Sequence, residues 1–255
     1  MSLVLTPLSG IPIINSGDDL SGIIISAIQT SDISPLEGDI WVFAQKIVSK
    51  AENRLMNLTE VVPSESAKEI ALKAKKDARF VELVLQESLE VLRVKPGALI
   101  VEHKAGFICA NAGIDHSNVN SNSGAPEDWV LLLPENASKS AFDLRGTLEK
   151  HFRMKFGVLI IDSHGRAWRN GTVGVSIGFS GIPGVVDLRG EPDLFGYKLQ
   201  ITQVGVVDEL AAAASLVMGQ AAESTPVVHV RGFPYPLRDG KLQEIIRPKE
   251  EDLFR

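Results

Sequence analysis

Two turns in this sequence place an acidic side chain at the end of an apolar segment. Asp162 follows the apolar residues 158–161 and is itself followed by a serine and a histidine. Asp115 ends a stretch of small and apolar residues that covers positions 108–114. A carboxylate at the end of a buried strand requires a partner, because burying an unpaired charge is costly. Both turns are therefore candidate sites for binding a cation.

Oxygen-rich turns of this kind suit Mg²⁺ or Mn²⁺, which prefer carboxylate and hydroxyl ligands. Asp115, Asp162 and Ser163 would supply such oxygens. Two turns brought together could hold one or two divalent ions that bridge bound phosphates. The alternative for Asp162 is structural, as a helix cap or as the partner of Arg166 or Arg169. The neighbouring His164 is predicted to be a hydrogen-bonding loop residue and not a ligand.

The segment AQKIVSKAENR, residues 44–54, places three cationic side chains four residues apart: Lys46, Lys50 and Arg54. On a helix that leaves a buried strand, these side chains would share one face. Backbone N–H groups and positive charge at such a junction favour phosphate binding. A solvated helix face is the alternative interpretation.

Residues 172–180 alternate apolar side chains with glycine, serine and threonine. This period of two predicts a strand with one apolar face and one face of small residues. Small residues allow another backbone or a ligand to approach closely. The small face is thus either the floor of a ligand site, or a place of tight packing or subunit contact.

Composition excludes several classes of protein. The 255 residues carry a net charge of −6, which argues against a nucleic-acid partner. The single cysteine, Cys109, rules out an internal disulfide and is predicted to be a buried, unreactive thiol. No lysine or arginine occurs in the first 45 residues, and no apolar run approaches the ~20 residues of a membrane span, so a cytoplasmic protein is expected. Neither a P-loop nor a G-x-G-x-x-G motif is present.

Apolar segments of strand type and of helix type follow one another irregularly, which predicts an α+β fold with mixed sheets and flanking helices. Helical patterns cover residues 64–93 (as two helices), 137–152 and 208–218, the last with Asp208 as its cap. Strands are predicted at residues 39–44, 98–102, 106–110, 129–133, 172–180 and 226–230. Residues 118–128 are predicted to form a surface loop, and the charged last 20 residues are expected to be peripheral.

Seven short blocks, in order, resemble the coenzyme F420-0:L-glutamate ligases, the γ-glutamyl ligases that act in deazaflavin cofactor maturation. The blocks are LSGIP at 8–12, KIVSKAE at 46–52, NAGIDHSN at 111–118, IDSHGRAWRNGTVGVSIGFSG at 161–181, DLRG at 187–190, VDELAAAASLVMGQ at 207–220 and VVHVRG at 227–232. Each block alone is a weak signal. Their ordered set covers nearly the whole chain and is specific.

The resemblance implies a two-lobed α+β fold, an intertwined homodimer, and a single ligase domain over residues 1–255. It also implies GTP-dependent amide formation between F420-0 and L-glutamate through an acyl phosphate, with further γ-linked glutamates as an open extension. Mg²⁺ or Mn²⁺, at two positions, and K⁺ are the cofactors implied. Some relatives carry a C-terminal reductase-like domain, which is not expected here because the sequence ends at position 255.

The same resemblance implies roles for individual residues. Asp115, Asp162 and Lys50 are implied as catalytic, and Asp115, Asp162, Ser163 and Gln220 as metal ligands. The implied GTP contacts are Ser9, Gly10, Ile11, Pro12, Gln45, Lys50, Asn118, Met218, Gly219, Gln220 and Ala221.

Three positions depart from the family pattern: Gln220 where an acid is expected, Ser163 where threonine is expected, and Asn53 in AENR where glycine is expected. A glutamine can still bind a metal through its carbonyl, with one negative charge less. Two other functions remain open at this stage. One is a metal-dependent phosphotransferase or hydrolase with a different acceptor, and the other is a non-catalytic binding protein.

Overall fold

The computed structural model describes residues 2–116 and 125–253. The helices are α1 (Leu20–Thr30), α2 (Gln45–Ala51), α3 (Glu65–Ala74), α4 (Ala78–Gln86), α5 (Ala137–Phe152) and α6 (Val206–Met218). The first six strands are β1 (Val4–Pro7), β2 (Ile40–Ala44), β3 (Leu55–Asn57), β4 (Ser88–Lys95), β5 (Ala98–His103) and β6 (Ile108–Ala110). The others are β7 (Trp129–Leu131), β8 (Gly157–Arg166), β9 (Arg169–Ser180), β10 (Val186–Asp187), β11 (Gln203–Val204) and β12 (Val227–Arg231).

The first lobe is built on a five-stranded sheet of order β1-β12-β2-β8-β9. Its neighbours are antiparallel except β2 and β8, which run parallel from Ile40 opposite Gly157 to Ala44 opposite Ile161. Both faces of the central strands are covered, so β2 is apolar throughout. Trp41 and Phe43 pack towards α1, α2 and α5, whereas Ile40 and Val42 pack towards α6.

The second lobe contains the sheet β4-β5-β6, the pair β3-β7 and helices α3 and α4. These elements share a separate core that includes Phe80, Val84, Leu99 and Val130. The expected α+β class, with two lobes and mixed sheets, is therefore confirmed.

Two sequence-based assignments of secondary structure are wrong. Helix α4 ends at Gln86, and residues 88–95 form β4 instead of continuing a helix to 93. Pairing of β4 with β5 overrides the helical spacing and leaves Leu89 65% exposed. Helix α6 begins at Val206 with Gly205 as its N-cap, so Asp208 lies in the first turn and is not the cap.

The C-terminal segment is less peripheral than its charge suggests. Leu242 is buried in the core between the sheet and α6. Glu244 accepts hydrogen bonds from the backbone of Gly184 (3.1 Å) and from Arg238 (2.7 Å). The expectation of a wholly peripheral tail is therefore wrong for this part. Among the described residues no helix is long and apolar enough to cross a membrane.

Candidate functional site

The topology of the first sheet brings two of the chemical segments to one edge. Because β2 and β8 are parallel and Ala44 lies opposite Ile161, the next residues in each strand direction, Gln45 and Asp162, lie side by side at the same edge. Ligands of α/β sheets commonly bind at the carboxyl ends of such strands. The candidate site therefore lies at the junction between β2 and α2, beside Asp162 of β8.

Two loops of the same lobe reach this edge as well. The Leu8 amide donates to the Val227 carbonyl at 2.9 Å, and the Ala44 amide donates to the Pro226 carbonyl at 2.8 Å. The segment that follows β1 and the segment that precedes β12 consequently lie next to the end of β2. They contain two groups of predicted nucleotide contacts, Ser9–Pro12 and Gly219–Ala221.

Asp115 is contributed by the second lobe. Positive φ values at Asn111, Ala112 and Gly113 turn the chain sharply after β6, and Asp115 then exchanges backbone hydrogen bonds with Leu131 (3.0 and 2.9 Å). Its side chain accepts a hydrogen bond from Gln45 Nε2 at 2.8 Å. Oδ2 of the same carboxylate also lies 3.3 Å from Lys46 Nζ. The turn is thus fixed against the start of α2.

The electrostatics of Asp115 connect it with Asp162. Burial raises the pKa of the Asp115 carboxyl, Lys46 opposes that effect, and the charge of Asp162 raises the pKa further. Two carboxylates that repel each other across a buried site are stabilised by a cation between them. Lys46 supplies part of that positive charge.

The prediction that Asp162 lies in a turn is wrong, because β8 continues past it to Arg166 in pairing with β9. Asp162 also has a different partner from either arginine proposed for it. Its Oδ2 lies 3.0 Å from His164 Nε2, and both side chains are only 12% exposed. The His164 ring packs on Phe107 with 5.6 Å between the ring centres. Arg166 instead donates to the Asn170 carbonyl in the β8–β9 hairpin, at 3.4 Å. His164 thus orients the acid. Its predicted hydrogen-bonding role is confirmed, but its predicted place in a loop is wrong, because it lies in β8 opposite Val173.

Ser163 and Gln220 meet directly. Ser163 Oγ donates to Gln220 Oε1 at 3.0 Å, and Gln220 Nε2 donates to Ser215 Oγ on α6 at 2.9 Å. These two bonds fix the orientation of the Gln220 amide, with its carbonyl oxygen towards Ser163 of β8. Gly219, whose φ is +74°, allows α6 to end where Gln220 reaches the site.

The donor set is compatible with a hard divalent cation. The residues Asp115, Asp162, Ser163 and Gln220 offer carboxylate, hydroxyl and amide oxygens, which Mg²⁺ and Mn²⁺ accept. Within residues 2–116 and 125–253, no three His, Cys, Asp or Glu side chains form a metal-binding cluster. Asp162 and Ser163 are consecutive in β8, so their side chains leave opposite faces of the strand. The structure thus brings Asp162 towards Asp115, and Ser163 to Gln220, as two separate pairs.

The three cations of residues 46–54 do not share one role. Lys46 lies beside Asp115, as described above. Lys50 is half-buried on α2, where burial first and Lys46 second lower the pKa of its ammonium group. Arg54 lies beyond the end of α2 and joins the lobes by donating to Leu133 O (2.8 Å) and to Glu87 (2.7 Å). The predicted common helical face is wrong for Arg54, because α2 ends at Ala51.

The other predicted contacts are placed as follows. Gln45 is buried, and both ends of its amide are engaged, Nε2 by Asp115 and Oε1 by the Ser49 hydroxyl at 2.9 Å. Met218 is the last residue of α6, and the Ala221 amide donates to Glu223 at 2.8 Å. Asn118 lies outside the described residues.

The small-residue strand serves packing. A side chain at Gly174 would collide with the backbone of Ala211 in α6, and one at Gly178 would collide with the start of α5 at Ala137. A bulge at Ile177 switches the side of the sheet that these glycines face. The predicted single face of small residues is therefore wrong, because Gly174 packs on α6 and Gly178 packs on α5. Tight packing, one of the two alternatives, accounts for both glycines.

Two further residues near the site have clear roles in the structure. Cys109 is buried, as predicted, and burial first and Asp162 second raise the pKa of its thiol to about 12, which disfavours the reactive thiolate. Asp208 accepts a hydrogen bond from the Ser176 amide at 2.9 Å. Burial raises the Asp208 pKa, while that bond and His164 act in the opposite direction. Only the helical spacing to Ser215 hinted that Asp208 faces this strand.

Comparison with known proteins finds relatives that match nearly the whole chain. The model of the family F420-0:Gamma-glutamyl ligase matches residues 10–232. A coenzyme F420:L-glutamate ligase of Methanothermobacter thermautotrophicus is 44% identical over 257 residues and covers all of both chains. Proteins of the same name from Archaeoglobus fulgidus (42%; 100% of this chain, 97% of the relative) and Methanosarcina barkeri (40%; 96% and 92%) are also similar. The family model and these relatives show that this chain belongs to the F420-0:gamma-glutamyl ligase family.

Proposed function

We propose that this protein joins L-glutamate to coenzyme F420-0 with GTP as the energy source. The reaction would pass through an acyl phosphate and release GDP and phosphate. The observation that supports it best is that two acids from separate lobes lie close enough for the charge of Asp162 to raise the pKa of Asp115. Ser163, next to Asp162 on β8, is bonded to Gln220. The relatives that match the full chain are named as ligases of F420 and L-glutamate.

The proposed site would bind Mg²⁺ or Mn²⁺ through Asp115, Asp162, Ser163 and Gln220. When bound, the cation would neutralise charge on the nucleotide phosphates. His164 and Ser215 hold the acid and the amide in their orientations. The mutual repulsion of the two acids, together with their burial, is the reason to expect a cation there.

Lys50 is proposed to contact the phosphates of GTP. It is partly buried, and no described residue forms an ion pair with it, whereas Lys46 is directed to Asp115. A cation in that state gains more from an incoming phosphate than a fully solvated lysine does. The loops Ser9–Pro12 and Gly219–Ala221, at the same edge, are proposed to hold the rest of the nucleotide.

The chemistry itself requires positioning and charge neutralisation. An oxygen of the terminal carboxylate of F420-0 attacks the γ-phosphorus of GTP, and GDP leaves. The nitrogen of glutamate, as the free amine, then attacks the acyl carbon, the amide bond forms and phosphate leaves. Fixing the two reactants in line, next to preorganised charges, accounts for most of the rate in such transfers.

A homodimer is proposed as the working state. The segment between β9 and α6 projects several apolar side chains into solvent, with Leu194 97% and Phe195 94% exposed. Tyr197 and Ile201 of the same segment are exposed as well. Exposed apolar groups of this density mark interaction surfaces. A molar mass of one chain, measured by light scattering at micromolar concentration, would contradict the dimer.

A single assay tests the function. The protein is incubated with F420-0, GTP, Mn²⁺ and L-glutamate, and the products are weighed by mass spectrometry. A product heavier by one glutamyl residue, formed only with GTP, supports the ligase, and heavier products count further glutamates. GTP cleavage that proceeds equally without glutamate, with no amide product, would instead indicate a hydrolase or phosphotransferase.

A further inference from the structure

A cavity of about 360 Å³ lies beside the candidate site, between the β5–β6 turn and the start of α5. Its lining includes His103, Lys104, Phe107, Glu135 and Ser138. Phe107 separates it from Asp162, because the Phe107 ring contacts both His103 and His164. None of the residues assigned to nucleotide or metal lines this cavity.

His103 carries a buried hydrogen-bond donor without an acceptor. The residue is 4% exposed, and its ring stacks on Phe107 with 4.9 Å between the ring centres. Its Nδ1 accepts a hydrogen bond from the Ala105 amide at 3.0 Å, so the proton of the neutral ring lies on Nε2. Among the described residues, Nε2 has no partner. A buried N–H in this state is costly unless a ligand accepts from it.

Burial keeps the ring neutral. It lowers the His103 pKa to about 4, with Glu87 acting in the opposite direction and Lys104 adding to the decrease. At neutral pH, His103, which lines the cavity, is therefore uncharged and carries one N–H without a protein acceptor among the described residues.

The start of α5 points further donors at the same cavity. The Asn136 side chain accepts from the Lys139 amide (2.9 Å), and its backbone carbonyl accepts from the Ser140 amide (3.0 Å). The amides of Ala137 and Ser138 are among those that a helix leaves without an intrahelical partner. Gly178 allows this end of the helix to lie directly on β9. The N-terminus of a helix of 16 residues favours an anion.

The charges around the cavity have both signs. Lys104 and Glu135 both line it. The Lys104 ammonium also lies 3.6 Å from Glu87 Oε1, so it is shared between that acid and the cavity. A ligand that carries a carboxylate and an ammonium group matches this pattern, whereas a nucleotide phosphate would be repelled by Glu135. The volume lies near the lower end of the range of roughly 300–1,000 Å³ for ligand sites, which suits an amino acid better than a nucleotide.

We propose that this cavity binds the L-glutamate substrate, with a carboxylate held by His103 Nε2–H, Lys104 and the start of α5, and the ammonium group towards Glu135. The inference rests on the proposed ligase function and adds to it the position of the amino-acid substrate. The Phe107 side of the cavity is the side that faces Asp162, so a bound amino acid lies next to the proposed reaction centre.

A pair of His103 variants isolates the Nε2–H group. In His103→Asn the side-chain carbonyl can still accept from the Ala105 amide, but no N–H occupies the Nε2 position. In His103→Gln the amide N–H reaches that position. Both variants lose the ring stack on Phe107, and His103→Gln also loses the acceptor for the Ala105 amide. A glutamate KM that is retained in His103→Gln and raised in His103→Asn therefore assigns the effect to the N–H donor. We expect the KM for glutamate to rise roughly tenfold or more in His103→Asn, the scale of one hydrogen bond to a charged group, and to stay within about threefold in His103→Gln.

Ser138→Asp provides a test that does not risk the fold. An acid in the first turn stabilises a helix, so the melting temperature should stay the same or rise. The added carboxylate would repel the carboxylate of the substrate, and we expect the KM for glutamate to rise at least tenfold. The KM values for GTP and F420-0 should change by less than twofold in all three variants.

Direct titration of L-glutamate into the wild type and into His103→Asn, by calorimetry, separates this inference from the proposed function. Absence of any ligated product in the wild type, with glutamate binding that His103→Asn abolishes, would overturn the function and keep the site. Normal ligation with unchanged glutamate KM in His103→Asn and Ser138→Asp would overturn the site and keep the function. A change in the KM for GTP or F420-0, with no change in the KM for glutamate, would likewise overturn the proposed glutamate site.

Discussion

Gln45 Nε2 donates a 2.8 Å hydrogen bond to Asp115 Oδ2, although 70 residues separate the two in sequence. Gln45 is the first residue of α2 in the first lobe, and Asp115 belongs to the second lobe. The other end of the Gln45 amide accepts from Ser49, so the side chain cannot turn away without losing two bonds. One buried amide therefore sets the position of an acid that the proposed chemistry needs.

Replacing Gln45 by leucine should lower both stability and turnover. The variant leaves the Asp115 carboxylate and the Ser49 hydroxyl without this partner, at a cost of about 1–3 kcal/mol in the free energy of unfolding. We expect turnover to fall at least tenfold, because Asp115 is no longer fixed. Urea denaturation and the ligation assay measure the two effects. Gln29→Leu, on the exposed end of α1, serves as control, and equal behaviour of the two variants would contradict this role.

Asp162→Asn should reduce ligation by at least ~10²-fold, the scale of removing a key charge from a reaction centre. The substitution preserves shape and removes only the negative charge, so the fold should persist. Turnover is measured as GDP released in the presence of F420-0 and glutamate. Asp143→Asn, an exposed acid on α5 that pairs with Lys139, is the matched control. GDP release near the wild-type rate in Asp162→Asn would remove this acid from the mechanism.

Gln220→Glu should tighten the binding of Mn²⁺. The new carboxylate would replace a neutral carbonyl next to Ser163 and restore the acid that the family pattern leads one to expect. We expect the dissociation constant of Mn²⁺ to fall roughly tenfold, measured by calorimetry without nucleotide. The same change at exposed Gln29 should have no effect. Weaker Mn²⁺ binding in Gln220→Glu would mean that position 220 does not contact the metal.

The stabilising contribution of Asp39 should be lost in acid. Burial alone would raise its pKa, but hydrogen bonds from His229 (2.7 Å) and Arg231 (2.9 and 2.7 Å) outweigh burial and lower the pKa from 3.8 to about 2. The shift contributes about 2 kcal/mol, which is fully present above pH 3.8 and is lost as the pH falls towards 2.

Denaturation at several pH values checks this contribution of Asp39. We expect Asp39→Asn to be less stable than the wild type at pH 7, with the difference shrinking below pH 4. Asp187→Asn removes an exposed acid that pairs with Arg189 and should change stability far less. A difference between Asp39→Asn and the wild type that stays constant from pH 7 to pH 2.5 would contradict the assignment.

Gly174→Ala should destabilise the protein, by about 1–3 kcal/mol, because its methyl group would meet the backbone of α6 at Ala211. Gly146→Ala is the matched control, since that glycine lies inside α5 with open space around its Cβ position. There alanine should be neutral or stabilise by up to about 1 kcal/mol, through helix propensity. Thermal unfolding of both variants decides the matter, and similar melting temperatures would show that α6 can move away from β9.

The sequence by itself determined the local elements and the candidates for chemistry. The apolar runs at 39–44 and 158–161 fix two buried strands, since only a strand covered on both faces is apolar throughout. The position of Asp115 and Asp162 after apolar segments singled out the two acids, and the ordered family blocks added Gln220. The α+β class followed from the irregular order of strand and helix patterns. These features are local, and local propensity and periodicity specify them.

Tertiary structure decided which of these residues meet. Parallel pairing of β2 with β8 places Gln45 next to Asp162, and no local pattern encodes that register. Lys46, and not Lys50, forms the ion pair with Asp115. His164 became the partner of Asp162, and the glycines of β9 became contacts for α5 and α6. Burial and distance between remote segments control these relationships, and both arise only when the lobes have packed together.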